Sequence, residues 1–164
     1  MIRPLAKEDV ERFKELRLEA LKEVPEAFAA SYEEEVDKPL DFFVGKLLDT
    51  TTFYGVFEKE GELLGMISLT RSTLLKMKHK GAIGSVYIAK KARGRGLGKE
   101  LFTYVMKEAE VQGIEQLQLV VAATNEKAKH LYESLGFYVY GFEKRALKMK
   151  EQYIDEEYMM RLLT

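Results

Sequence analysis

Residues Arg93-Gly94-Arg95-Gly96-Leu97-Gly98 alternate three glycines with larger side chains. They follow an apolar run, Val86-Tyr87-Ile88, and precede a stretch of helical spacing. A strand, a glycine loop and a helix in that order present backbone N–H groups to an anion. The first turn of a helix has unpaired donors, and its dipole favours negative charge. Glycine lets a phosphate reach the backbone where a side chain would stand in the way. The segment reads as a phosphate cradle, against the plainer alternative of a tight turn between strand and helix. A P-loop is excluded, because its first glycine falls on Arg93 and its magnesium-binding Ser or Thr falls on Glu100. The dinucleotide fingerprint fails as well: G-x-G-x-x-G counted from Gly94 ends on Lys99, and from Gly96 on Leu101.

A second segment, Asn125-Glu126-Lys127-Ala128-Lys129-His130-Leu131-Tyr132-Glu133-Ser134-Leu135-Gly136-Phe137, lies downstream. R-x-x-G-x-G, set in V-Y-I-A-K-K-A-R-G-R-G-L-G, and N-x-x-A-x-x-L-Y-x-x-x-G-F resemble the two halves of the acetyl-coenzyme A site of the GCN5-related N-acetyltransferase (GNAT) family. The resemblance is close over roughly residues 80 to 142; before that it extends only to the order of elements.

The resemblance implies a cofactor site and a mechanism. The strands before the loop and after its helix would splay apart. The pantetheine arm would lie between them and pair with backbone groups of Val86, Tyr87 and Ile88, although their side chains read equally as sheet core. The pyrophosphate would meet the N–H groups of Arg93, Gly94, Arg95, Gly96, Leu97, Gly98 and Lys99, with Arg93 also bracing the loop. Asn125 stands where the family often places an amide on the cofactor; as a residue it serves equally as a helix N-cap. Tyr132 matches the tyrosine that protonates the departing sulfur in many members, while its spacing with Ala128, Leu131 and Leu135 also fits core packing. Tyrosine near pKa 10 giving its proton to a thiolate near 8.5 is uphill by about 1.5 units, or about 2 kcal/mol.

The acceptor amine must shed a proton before attack. Relatives often carry a carboxylate on the strand before the loop, but Ile83-Gly84-Ser85-Val86 offers none. Glu33, Glu34, Glu35 and His79 qualify by type only. With Asp37 and Asp41, and with Phe28, Phe42 and Phe43 among them, the glutamates suggest a cationic acceptor with an apolar body.

The elements that must position these residues follow from hydrophobic period. The pattern predicts a strand to Arg3, a helix from Val10 that ends at Pro25, and helical segments over 26–48 broken near Pro39. A hairpin over 51–72 turns at Glu60-Gly61. A strand over 81–89, a helix over 96–112, a strand over 115–121 and a short helix over 126–135 come next, then strands over 137–148 and 153–162. This order suits a single domain over 1–164, of α/β (α+β) type. It also suits a mixed, twisted sheet with helices on both faces, which the resemblance implies is mostly antiparallel, with a splayed strand pair for the cofactor.

Composition narrows the classes. The chain has 164 residues, 26 basic and 27 acidic, so no strong field favours nucleic acid or an acidic membrane. Lys90, Lys91, Arg93, Arg95 and Lys99 crowd one loop without interleaved aromatics, which suits a phosphate collar better than a nucleic-acid binder. There is no cysteine, hence no disulfide, zinc–thiolate site or acyl-thiol intermediate on the protein. Met1-Ile2-Arg3-Pro4 lacks the apolar core of a signal peptide, and no run reaches membrane-spanning length, so a cytoplasmic protein is expected. The expected function is transfer of acetyl from acetyl-coenzyme A, with no metal, to a small-molecule amine, a protein N-terminus or a lysine. A non-catalytic coenzyme A-binding module remains the alternative. The identity of the acceptor, and whether the chain forms a homodimer, stay open.

Overall fold

A computed structural model covers residues 1–164. Seven strands form one sheet: β1 (Ile2–Pro4), β2 (Thr51–Phe57), β3 (Leu63–Arg71), β4 (Lys80–Ile88), β5 (Gln116–Ala122), β6 (Tyr138–Met149) and β7 (Gln152–Leu162). Their order is β1-β2-β3-β4-β5-β7-β6, and every neighbouring pair is antiparallel except β4 and β5. A parallel pair needs a crossover. Here it is helix α4 (Leu97–Val111), whose buried Leu97, Leu101, Val105 and Ala109 recur at helical spacing.

The remaining helices are α1 (Val10–Glu23), α2 (Tyr32–Glu35), α3 (Leu40–Leu48) and α5 (Glu126–Ser134). Neighbouring residues of one strand point to opposite faces of a sheet, and β2 shows what each face meets. Phe53 packs on Phe13 of α1 at 4.8 Å between ring centroids, and Phe13 in turn meets Phe43 of α3 at 6.5 Å. The next residue, Tyr54, packs on Tyr104 of α4 at 5.7 Å. Helix α5 joins the α4 face, where Tyr132 and Phe102 lie 5.2 Å apart. Helices therefore cover both faces, as the order of elements implied. No helix is long and apolar enough to cross a membrane.

The acidic run at 33–35 has a structural use. Ser31 and Glu34 close a capping box around the single turn of α2: the Glu34 N–H donates to Ser31 Oγ at 3.3 Å, and the Ser31 N–H donates to the Glu34 carboxylate at 3.2 Å. Glu35 points inward instead. Arg17 of α1 donates to it twice, at 2.6 and 2.9 Å, and both side chains are nearly excluded from water. Lys46 of α3 stands 4.0 Å away. The pair thus joins three helices beneath the surface.

Removing one partner of a buried ion pair leaves the other charge uncompensated, at a cost of about 3–5 kcal/mol. Arg17→Met should lower stability by about 3 kcal/mol, the low end, because Lys46 is close enough to take over in part. Urea unfolding followed by circular dichroism measures this. A midpoint equal to that of the native protein would show that the pair contributes nothing.

Candidate active site

The parallel pair β4–β5 is short. Lys80 faces Gln116, Gly81 faces Leu117 and Ala82 faces Gln118, and there the ladder stops. The cause lies on the other edge of β4. Its register with β3 runs from Ser68↔Gly84 directly to Met66↔Tyr87, so β4 uses one residue more than its partner. Ser85 sits at the irregularity with φ 49°, a left-handed value uncommon outside glycine. Such a bulge bends its strand and increases the local twist. Beyond it, β4 diverges from β5.

The opening is a cavity of about 540 Å³, within the usual range for small-molecule sites. Ile83 through Ile88 line one wall and Leu119 through Ala122 the other, so Val86, Tyr87 and Ile88 fall on the wall that the resemblance implied. The glycine loop closes one end. Gly94 and Gly96 adopt φ of 79° and 75°, and a Cβ added at either would meet no protein atom within 4 Å. No acceptor within the protein is bound by the backbone N–H groups from Gly94 through Lys99. Gly96 is the N-cap of α4, so these donors coincide with the positive end of its dipole.

Arg93 departs from the expectation in one respect. Its N–H is turned towards the Lys90 carbonyl at 3.5 Å and does not join the free donors. Its side chain braces the loop, as expected: Nε donates to the Ile88 carbonyl at 3.2 Å, and the guanidinium lies 5.4 Å from the centre of the Tyr87 ring. That ring is buried, and its hydroxyl finds no hydrogen-bond partner. Burial, then the nearby Glu19 carboxylate, raise its pKa and keep it protonated.

The basic collar is thinner than the sequence suggested. Arg95 pairs with Glu58 at 3.0 Å and Lys91 pairs with Glu62, both carboxylates belonging to the turn between β2 and β3. Lys90 is exposed and lies off the cavity wall, leaving Arg93 and Lys99 from that group. Lys127 also lines the cavity, and the sequence reading missed it. The available signal was its place in the first turn of α5, just after the cap.

Asn125 caps its helix and also stands at the cavity. Its side-chain oxygen accepts from the Ala128 N–H at 3.1 Å, capping α5, and the residue lines the cavity. Tyr132 likewise combines packing with access. Its ring lies against Phe102 and Phe137, yet it forms part of the cavity wall. Burial alone pushes its pKa up to about 12, so the hydroxyl holds its proton at any physiological pH.

The carboxylates at the cavity are Glu26 and Glu156, neither anticipated from the sequence. Glu156 belongs to β7, opposite Ala122 on β5 and Glu143 on β6. Burial first, then Glu143, raise its pKa above the usual carboxylate range. Glu33, Glu34, Glu35, Asp37 and Asp41 do not reach the cavity, nor do Phe28, Phe42 and Phe43. Phe43 is fully buried core. His79 is at the opposite end of β4, where its carbonyl accepts from the Glu115 and Gln116 N–H groups.

Two parallel neighbours that part above a helix start with unpaired N–H groups are the arrangement that the resemblance implies. The chain matches the acetyltransferase (GNAT) family over residues 13–137 and belongs to it. An N-alpha-acetyltransferase of Sulfurisphaera tokodaii is 30% identical over 127 residues, covering 73% of this chain and 72% of that protein. A mycothiol acetyltransferase of Paenarthrobacter aurescens is 38% identical over 106 residues, or 63% of this chain and 31% of that protein. The matches span between about a fifth and a third of the length of the mycothiol enzymes. Among solved structures, a GNAT acetyltransferase from Streptococcus pneumoniae superposes with TM-score 0.83 at 24% identity, covering 99% of both chains. A phosphinothricin acetyltransferase from Sinorhizobium meliloti in complex with acetyl-coenzyme A gives 0.80 at 20% identity, over 99% of this chain and 88% of that one. At these identities the likeness is one of fold.

The state of Tyr132 has a measurable consequence. Its pKa is near 10 when unfolded and about 12 when folded, so only the unfolded state loses the proton between those values. Stability linked to it is complete below about pH 10 and is lost as pH rises towards 12. The thermal midpoint should fall through this window, and less steeply in Tyr132→Phe. Parallel slopes for the two proteins would mean that the hydroxyl is not buried.

Proposed function

We propose that the protein is an acetyl-coenzyme A-dependent N-acetyltransferase that delivers the acetyl group to a primary amine by direct attack in a ternary complex. The observation that carries this reading is the parting of β4 from β5 over the unpaired N–H groups of Gly94 through Lys99. An extended amide-bearing arm fits the parted edges, and a pyrophosphate fits the loop. Membership of the GNAT family, and relatives named N-alpha-acetyltransferase and peptidyl-lysine N-acetyltransferase, support an amine acceptor.

In this reading, backbone groups of Val86, Tyr87 and Ile88 pair with the arm. The N–H groups of Gly94, Arg95, Gly96, Leu97, Gly98 and Lys99 hold the pyrophosphate, and Arg93 keeps the loop in place. Lys99 and Lys127 balance phosphate charge, and Asn125 contacts the arm while it caps α5. Acetyl-coenzyme A supplies an acyl group already activated as a thioester. The protein supplies position, exclusion of water, and protons at the right atoms. Tyr132 is the general acid for the leaving sulfur. Its pKa of about 12 widens the gap to a thiol in water. A thiolate in the same apolar cavity is itself destabilised, so burial raises both acids and the gap closes again. With no cysteine in the chain, the acetyl group has no protein thiol on which to rest.

Gly96→Val would place a branched side chain at φ 75°, where the left-handed conformation costs about 1–2 kcal/mol, and would fill the space a phosphate needs. The variant should stay folded and lose acetyl-coenzyme A binding in calorimetric titration. Native affinity in a folded Gly96→Val protein would rule out the cradle.

Tyr132→Phe keeps the ring contacts with Phe102 and Phe137 and deletes only the proton. With a primary amine as acceptor, kcat and kcat/KM should fall together by about 100-fold, with acetyl-coenzyme A affinity unchanged. Activity within about twofold of native would remove Tyr132 from the mechanism.

A further inference from the structure

Resting on the transferase reading above, we infer that Glu156 is the catalytic base that takes the proton from the acceptor's ammonium group. A lysine-like amine has a pKa of about 10.4 and arrives protonated at neutral pH, with no electron pair free to attack. A base at the cavity, or a chain of water through it, must accept that proton. Only Glu26 and Glu156 offer a carboxylate there. Glu26 sits on a single turn over Pro25–Ala27, whereas Glu156 is held from both sides by the ladders of β5 and β6. A base works at hydrogen-bond reach, which favours the rigidly placed group.

Glu156 is also free. Asp155 accepts from the Arg145 N–H at 2.7 Å, and Glu157 pairs with Lys129 at 3.4 Å. On β6, Glu143 accepts from the Tyr158 hydroxyl. Glu156, between these committed residues, makes no ion pair. Since side chains alternate along a strand, Lys129 and Glu157 lie on the other face. Glu143 from β6 and the neutral Ala122 from β5 stand opposite Glu156, Tyr158 shares its face of β7, and Glu26 lines the same cavity. Among the cations of the wall, Arg93 and Lys99 belong to the loop and the start of α4, while Lys127 lies in the first turn of α5, which begins shortly after Ala122. A partly buried carboxylate among acidic neighbours keeps a proton affinity closer to neutral, where a base is most effective. Val24, Ala27 and Val120 supply an apolar wall beside it, which suits an ammonium on an apolar stem.

The step balances. One ammonium proton passes to the Glu156 carboxylate, and the freed electron pair forms the C–N bond at the acetyl carbon. The C–S bond breaks with its electrons on sulfur, which takes the Tyr132 proton. The second nitrogen proton, released as the amide forms, restores the tyrosine through solvent, and Glu156 returns its own proton to solvent. Amine and thioester become amide and thiol.

The test is the pH profile of kcat/KM for native protein, Glu156→Gln, Glu143→Gln and the double variant. The probes are spermidine, Nα-acetyl-lysine amide and an alanine-initiated tripeptide, with acetyl-coenzyme A affinity measured in parallel. Glu156→Gln should lower kcat by about 100-fold at neutral pH. It should also abolish the acid limb, leaving a rate that climbs about tenfold per pH unit towards the amine's own pKa. Glu143→Gln should move the acid limb to lower pH only while Glu156 is present, a shift that a purely structural role would not produce. Native-like kcat with the limb unchanged in Glu156→Gln overturns the assignment and leaves the transferase reading standing. Failure of the native protein to bind acetyl-coenzyme A, or to acetylate any of the three probes, overturns the transferase reading and this one with it.

Discussion

Backbone amides inside a sheet need partners, and the break between β4 and β5 denies them one. After Ala82 and Gln118 the two strands share no ladder, so donors and acceptors on both inner edges face a cavity. Elsewhere each strand is paired along most of its length, including the long ladder of β5 with β7 from Gln116↔Leu162 to Ala122↔Glu156. An unpaired backbone group away from water costs about as much as a lost hydrogen bond. Such edges suit an extended ligand that carries amides of its own. The cavity is therefore a consequence of sheet geometry before it is a matter of side chains.

That geometry must be held open from outside. Ser85 supplies the bulge, and the aromatic packing of Phe13, Phe43 and Phe53 on one face and of Phe102, Tyr132 and Phe137 on the other fixes the two halves. Packing also sets the chemistry. The contacts that bury the Tyr132 ring are the ones that raise its pKa, so its packing and the acid role proposed for it draw on a single environment. Arg93 behaves similarly, since the bond that ties it to the Ile88 carbonyl both shapes the loop and joins it to the cavity wall.

The cavity brings charges of both signs together. Free N–H groups and Lys99 gather where α4 begins and Lys127 lies in the first turn of α5, while Glu26 and Glu156 are the acids of the same lining. A ligand that carries phosphates and meets a cationic acceptor finds groups of both signs in one lining. The overall charge of −1 shows none of this, because the grouping is local.

Local features were legible in the sequence. The glycine loop, its helix and the N-cap at Asn125 depend on neighbours only a few residues away, so residue type and spacing were sufficient. The boundaries of α1, α4 and α5 and the β2–β3 hairpin were set by Pro25, Gly96, Asn125 and the turn near Gly61 in the same way. Partners distant in sequence were not legible. Arg17 with Glu35, Arg95 with Glu58 and Lys91 with Glu62 turned apparent site charges into structural pairs. Glu156 reached the cavity only through pairing with Ala122 and Glu143. Sequence by itself determined where an anion could meet the backbone, since that is a property of one turn. Only the tertiary structure decided which acids and bases surround it, because side-chain charge acts through space and the register of β5, β7 and β6 sets who stands opposite whom.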